Sequence, residues 1–262
     1  NSIFKDGKPW VVNLTYSKDI LTPGSEISAI TDAQVSVIEK TTKREIILKH
    51  ISKGVYQSDI YPPQADKTYE LIVMVPGYEK VYAISTAPKK ANVVSIISDI
   101  VDNNTTKINF EIKDNTSNYY IWNFISTNLI NPIDSNFNGS PKELVSGIIK
   151  YNSIAGYINS LTHSTDNDAV AQGGIFSANI KESNEPFIEG NQNNSEENGT
   201  VKRYLRLLTT SKDLYNYYKT VEKFSTAENH NSSFSHAPEI YSNVQNGLGI
   251  FAGYTEEYKE IK

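Results

Sequence analysis

The residues best suited to hold a ligand are aromatic. Tyr120 and Trp122 lie two apart within Asn118–Thr127 (NYYIWNFIST), so a strand there carries both rings on one face. Together with Trp10 and the loop aromatics Phe137 and Phe187, that face could stack against a sugar ring or a peptide side chain. The same alternation serves the core face of a β domain equally well. Phe251 and Tyr254 form a second candidate, near Gly249 and Gly253, where glycine leaves bare backbone for another group to approach. A closing strand of a β-rich domain reads the same way. Tyr120, Trp122, Phe251 and Tyr254 are therefore the candidate ligand-binding residues.

Acid–base and metal chemistry have less to work with. His50, His163, His230 and His236 are scattered. Only His230 and His236, with Glu228 or Glu239, are near enough for a two-histidine metal site, and loop histidines of this kind are ordinarily surface residues. Asp166-Asn167-Asp168 offers oxygen ligands of the type calcium takes, but Ala171 stands where a helix-flanked calcium loop needs glycine, and no glutamate occupies its twelfth position. An irregular calcium loop stays open. Sugar hydrolysis needs two carboxyls held a few ångströms apart, and sequence leaves Asp99, Glu111, Asp134 and Glu189 unplaced relative to one another. Nucleophile elbow, zinc-protease helix, phosphate loop and dinucleotide fingerprint are all missing from the sequence. With no cysteine there is no disulfide framework, thiolate nucleophile or cysteine-bound metal. The expectation is a non-enzymatic protein without a cofactor.

Composition narrows the partners. The formal net charge is -5, and the densest basic stretch, Lys40 to Lys49, alternates with Thr, Glu and Ile in the manner of a solvated hairpin. Nucleic acid is not an expected partner, because it would call for a clustered basic face. No apolar run approaches the roughly 18 residues of a membrane-spanning helix. The numbering opens at Asn1 without methionine, so a leader is expected ahead of it. Seventeen tyrosines, many short β-branched runs and abundant Asn, Ser and Thr describe a β protein with long polar loops, common among exported bacterial proteins.

The elements that must position these residues are mainly strands. Residues 1–88 read as an immunoglobulin-like or transthyretin-like sandwich: Pro9–Ser17, Asp32–Ile38, Glu45–Leu48, Gly54–Tyr56, Lys67–Val75 and Lys80–Thr86 alternate as half-buried strands, with turns at Thr22–Ser25 and Pro76-Gly77. Pro88-Lys89-Lys90 reads as a linker. Residues 91–262 read as a second β-rich domain, barrel or sandwich, with strands at Val93–Val101, Lys107–Lys113, Asn118–Thr127, Gly173–Ala178 and Val201–Thr209. Residues 128–173 are less regular, with an unassigned apolar stretch at Leu144–Ile158, and Glu182–Gly199 reads as an exposed loop. One helix is expected near 211–224, capped by Thr210 with Asp213 three residues on, and carrying Leu214, Tyr217, Tyr218, Val221 and Phe224 on one face. After a polar loop at Ser225–Ala237, Asn246-Gly247 predicts a tight hairpin whose second strand folds back on Tyr241–Val244.

Several motifs then line up in order: DAQVSV (Asp32–Val37), GVY (Gly54–Tyr56), KTYELIV (Lys67–Val73), NYY (Asn118–Tyr120), IFSANI followed by Gly190, and YSNVQNGLGIFAGY (Tyr241–Tyr254). The set resembles a family of outer-membrane lipoproteins from Bacteroidetes-type bacteria, catalogued as a domain of unknown function. Ser242-Asn243-Val244 and Asn246–Phe251 are its specific part. Ser177-Ala178 departs from it, since the family tends to carry an acid after Phe-Ser. The resemblance implies a lipidated N-terminal cysteine, anchorage at the outer membrane with exposure at the cell surface, and an accessory or capture role beside a TonB-dependent receptor. A glycan or a peptide is the ligand that the aromatic residues could take. A structural or adhesion module is the alternative, and a glycan-degrading enzyme the third.

Overall fold

The structure is a computed structural model and describes residues 1–17, 28–102, 105–113, 119–128, 174–181, 201–229 and 239–261. It is mainly β, with strands β1 (Ser2–Lys5), β2 (Trp10–Asn13), β3 (Gln34–Glu39), β4 (Glu45–Ser52), β5 (Val55–Ser58), β6 (Lys67–Met74), β7 (Val81–Ala87), β8 (Asn92–Asp102), β9 (Thr105–Lys113), β10 (Tyr119–Asn128), β11 (Gly174–Lys181), β12 (Val201–Thr210) and β13 (Phe251–Ile261). Helix α1 spans Lys212–Asn229, five residues past the expected end.

Strands β2 to β7 form one sheet in the order β2-β5-β4-β3-β6-β7. Alternation decides its inner face: in β3, Val35 and Val37 are buried while Gln34, Ser36 and Ile38 turn outward. Val35 stands opposite Leu48 and Val73, and Val37 opposite Ile46 and Leu71, so a row of branched side chains runs across three strands. Turn chemistry fixes the registers. Lys53 and Gly54 both have positive φ (45° and 77°) between the paired Ser52 and Val55, which makes the two-residue mirror-image turn that matches strand twist. A side chain at Gly54 would collide with the Leu14 carbonyl. Pro76-Gly77, with Gly77 at φ 81° and Tyr78 N donating to Val75 O at 3.1 Å, joins β6 to β7 as a type II turn.

One sheet has one apolar face, which must be covered. The cover comes from both ends of the chain. Strand β1, four residues with no periodic signal of their own, pairs in parallel with β13 (Ser2 opposite Phe251, Lys5 opposite Tyr254). Phe4 and Phe251 enter the core with Trp10, Tyr56, Tyr69 and Leu71. A Lys5–Glu256 ion pair, its carboxylate almost wholly buried, joins the two strands.

The chain divides into two compact units, one of Asn1–Lys90, Asn118–Tyr120 and Leu208–Glu256, the other of Ala91–Ser117, Ile121–Leu207 and Glu257–Lys262. The helix and the first half of β13 group with the N-terminal sheet. In the second unit, β9 pairs antiparallel with β8 and with β11, giving the order β11-β9-β8. Phe110 and Ile112 of β9 are buried, and Val93 N donates to Glu257 Oε2 at 3.4 Å. A further sheet takes the order β1-β13-β12-β10. The turn at Thr22–Ser25, the stretch 129–173 with Asp166–Asp168, and 182–200 lie outside the described residues, as do His163, His230 and His236.

Candidate functional site

Of the expected aromatic residues, Tyr120, Trp122 and Phe251 are buried and Tyr254 is half-buried. Phe251 is fully enclosed, with Phe4 at 4.8 Å and Trp10 at 6.4 Å between ring centroids. Its neighbours Ile250 and Ala252 turn the other way, joining Leu214 of α1, with Tyr217, Tyr218, Tyr241 and the half-buried Tyr254 around them. Strand β13 therefore has cover on both faces. In the second unit Trp122 is buried with its ring edge-on to Phe110 at 5.4 Å. Tyr120 is buried as well. Phe137 and Phe187 lie outside the described residues. The glycine surface has an occupant already: a Cβ on Gly253 would sit 2.5 Å from the Phe4 ring and 2.6 Å from the Thr86 carbonyl oxygen. What approaches closely there is the protein's own core.

The Asn246-Gly247 hairpin does not form. Asn246 takes a positive φ of 58°, but Gly247 does not, and β13 pairs with β1 instead of folding back on Tyr241–Val244. The competing interaction is a side chain. Asn243 Oδ1 accepts from Phe251 N at 2.9 Å while its Nδ2 donates to Phe251 O at 2.8 Å, so an amide group takes the place of a paired strand. Gln245 exchanges backbone hydrogen bonds with Tyr82, and Asn246 Nδ2 donates to Lys80 O at 2.9 Å, which lays this segment along the β7 edge.

Helix α1 starts one residue later than expected. Ser211 is its cap, with Leu214 N donating to Ser211 Oγ at 3.2 Å, while Thr210 Oγ1 donates to Tyr119 O. Asp213 points away from the capping position and accepts from Ser85 Oγ at 3.0 Å and Tyr241 Oη at 2.8 Å. Burial first, then the Asp213 carboxylate, push the Tyr241 hydroxyl up to about 12. This cluster ties β7, α1 and the C-terminal segment together, a structural role.

One aromatic side chain that solvent can reach lies in the loop from Ser58 to Asp66 (SDIYPPQAD). Ile60 is 60% and Tyr61 54% exposed. Exposed loops are ordinarily mobile, and this one is tied at nearly every step. Ile60 N donates to Ser58 Oγ, the buried Trp10 indole donates to Tyr61 O at 2.9 Å, Gly7 N to Pro63 O at 2.8 Å, Gln64 N to Tyr69 Oη at 2.9 Å, Ala65 N to Asp6 Oδ1 at 2.8 Å, and Asp66 N to Ala87 O at 2.7 Å. Tyr61 is held at φ 50°. A bulky side chain resists that conformation, and the following proline disfavours it further. Residues held there carry strain on the order of 1–3 kcal/mol and gather at functional sites. The Arg44 guanidinium lies over one face of the Tyr61 ring, 4.1 Å from its centroid. Burial pushes the Tyr69 hydroxyl up, which keeps it a neutral acceptor for the loop.

The result is a rigid ledge: two adjacent apolar side chains, one aromatic face open, one guanidinium beside it. It can stack a sugar ring or grip an apolar side chain with little ordering cost on binding. Tyr61 falls in no periodic run, so strand or helix spacing does not single it out. The available signal was Ile-Tyr directly before Pro-Pro, large apolar residues where the chain must turn. Among the described residues no group of three His, Cys, Asp or Glu is placed to hold a metal ion. His50 lies beside Tyr56, with 5.2 Å between rings, and Glu111 accepts from Ser95 Oγ.

Residues 1–260 match the family described as Domain of unknown function (DUF4249). No curated protein and no solved structure matches the chain.

Proposed function

We propose that this chain, which belongs to the DUF4249 family, is a non-enzymatic lipoprotein of the bacterial outer-membrane surface that captures a glycan or peptide ligand for a TonB-dependent receptor. The observation that carries the binding role is the pinned loop, which keeps Ile60 and a strained Tyr61 in solvent. Ordering a loop to expose apolar side chains is unfavourable for folding alone, and it is what a preorganised binding surface requires. The lipid anchor, the outer-membrane location and the receptor rest on the motif resemblance. No helix among the described residues is long and apolar enough to cross a membrane. Attachment in this reading is through an N-terminal lipid.

Affinity capture from detergent-solubilised native outer membranes, with mass spectrometry of the copurifying proteins, tests the receptor role. A stoichiometric TonB-dependent receptor supports it; recovery of the protein alone, under detergent that preserves intact complexes, overturns it. Fatty-acid labelling of the full-length protein tests the anchor. Glycan and peptide arrays comparing the wild type with Tyr61→Ala test the ledge, whose loss must remove binding.

A second reading, adhesion, has one observation in its favour. The outer face of the six-stranded sheet exposes Ile47 (71%), Met74 (47%) and Ile84 (46%). Loss of attachment to matrix glycoproteins by an Ile47→Ser, Ile84→Ser variant, with array binding intact, would favour it.

A further inference from the structure

The sandwich has two ends, and the ledge occupies only one. Strand β6 runs from Lys67, next to the pinned loop, to Met74, next to the Pro76-Gly77 turn. Eight residues of strand separate the two ends by about 25 Å. At the second end Asn1 is tied in place: its amino group donates to Asn13 O at 2.7 Å and its Oδ1 accepts from Ile250 N at 3.1 Å. Two loop tips lie beside it. Asn246 Nδ2 holds Lys80 O at 2.9 Å, so the Gln245–Gly249 segment and the turn carrying Tyr78 run side by side. Each carries one large apolar side chain in solvent. Leu248, flanked by Gly247 and Gly249, is 80% exposed, and Tyr78 is 63% exposed with its ring 5.8 Å from that of Tyr16.

The geometry points to this end as a membrane-contacting surface, with Leu248 and Tyr78 entering the interfacial layer of a lipid bilayer. The proposal rests on the lipid-anchored reading above. A specific protein partner needs roughly 800 Å² of continuous complementary surface, whereas the large apolar side chains at the two tips are two separate protrusions, Leu248 and Tyr78. A bilayer needs no complementary surface, and tyrosine, an apolar ring with a polar tip, suits the headgroup level. Lys53 and Lys80 at this end are offset by Asp32 and Glu79, so the contact is apolar, not a charge attraction, and is insensitive to salt. Two side chains are also too few to recruit an untethered protein. Their effect is on orientation: with a tether entering ahead of Asn1, contact through Leu248 and Tyr78 points the Tyr61 ledge away from the membrane.

The test supplies the tether chemically. The full chain, with a hexahistidine segment ahead of Asn1, is bound to phosphatidylcholine vesicles containing nickel-chelating lipid, with and without brominated acyl chains. Trp10 and Trp122 are buried and provide a constant background. The Leu248→Trp variant should shift its emission to the blue and lose intensity to brominated lipid at low and high salt. A Tyr61→Trp variant should do neither. Unchanged emission from Leu248→Trp overturns the proposal, as does equal quenching of both variants. So does sedimentation showing that Leu248→Ser dissolves a dimer, which would assign the tip to a second copy of the chain. Because the tether is artificial, these outcomes do not depend on native lipidation, which the fatty-acid labelling reads separately.

Discussion

The rings of Phe251 and Phe4 lie 4.8 Å apart between centroids, packed at 40° in the middle of the sandwich core. The C-terminal strand thus completes a core whose other members come from residues 4–87. Phe251→Ala removes a fully enclosed ring and should destabilise the unit by about 3–5 kcal/mol. A fragment ending at Lys90 loses β13 altogether and should fail to fold. Urea denaturation checks the first expectation, and the far-ultraviolet and amide spectra of the fragment check the second; a cooperatively folded fragment would refute the shared core.

Asn243 offers a sharper comparison. Its amide accepts from Phe251 N and donates to Phe251 O, with a longer bond from the same nitrogen to Ile84 O at 3.4 Å. Asn243→Ala leaves a buried N–H and C=O unpaired and should cost roughly 2–4 kcal/mol. Asn243→Asp keeps the acceptor for Phe251 N but faces the Phe251 carbonyl with a second acceptor, so it should be no better than Ala. Equal stability of wild type and Asn243→Asp would show that the amide nitrogen contributes nothing.

Much of the sheet was legible in the sequence because strand alternation is a local property. Val35, Val37, Leu71 and Val73 are buried where period two puts them. Strand β1 was not legible, since four residues give no pattern, and its reason for existing is Phe251, far away in sequence. Asn246-Gly247 carries a strong hairpin signal that loses to the Asn243 side chain, a contact no turn rule anticipates. The burial of the aromatic candidates Tyr120, Trp122 and Phe251 has the same physical origin. Large rings spaced by two mark a strand face, and in a small domain such a face is spent on core, as Trp122 is. Tyr61, an exposed ring, sits where periodicity is silent.

At the start of α1, Ser211 and Thr210 are neighbours with different partners. Ser211→Ala removes the hydroxyl that accepts from Leu214 N and should cost about 1 kcal/mol, while Ser211→Asp should retain most of the stability. Thermal unfolding of the two variants decides it. If Ala and Asp behave alike, Ser211 is not the cap.

Tyr61 should separate stability from binding. Asn accepts the left-handed conformation more readily than Tyr, so Tyr61→Asn relieves strain while losing the stack with Arg44. The net change should lie within about 1 kcal/mol of the wild type, in either direction. Ligand binding in the capture assays should nevertheless be lost. A variant that binds normally would mean the loop is rigid for reasons other than recognition.

Alkali should reveal the Ser85–Asp213–Tyr241 cluster. The Tyr241 hydroxyl is raised from 10 to about 12, first by burial and then by Asp213, which accepts its proton in a hydrogen bond. A raised acid favours its neutral form in the folded state, so its contribution to stability is complete below pH 10 and is lost as pH climbs from 10 toward 12. Following the tyrosinate absorbance, the wild type should show a late-ionising tyrosine that Tyr241→Phe lacks, and the variant's stability should fall less steeply across the same interval. Tyr69, also raised by burial, remains in both proteins, so the difference between the two titrations isolates the one hydroxyl. Identical titrations would mean that Tyr241 ionises as freely as in the unfolded chain, and that Asp213 holds the C-terminal segment to α1 through something other than this bond.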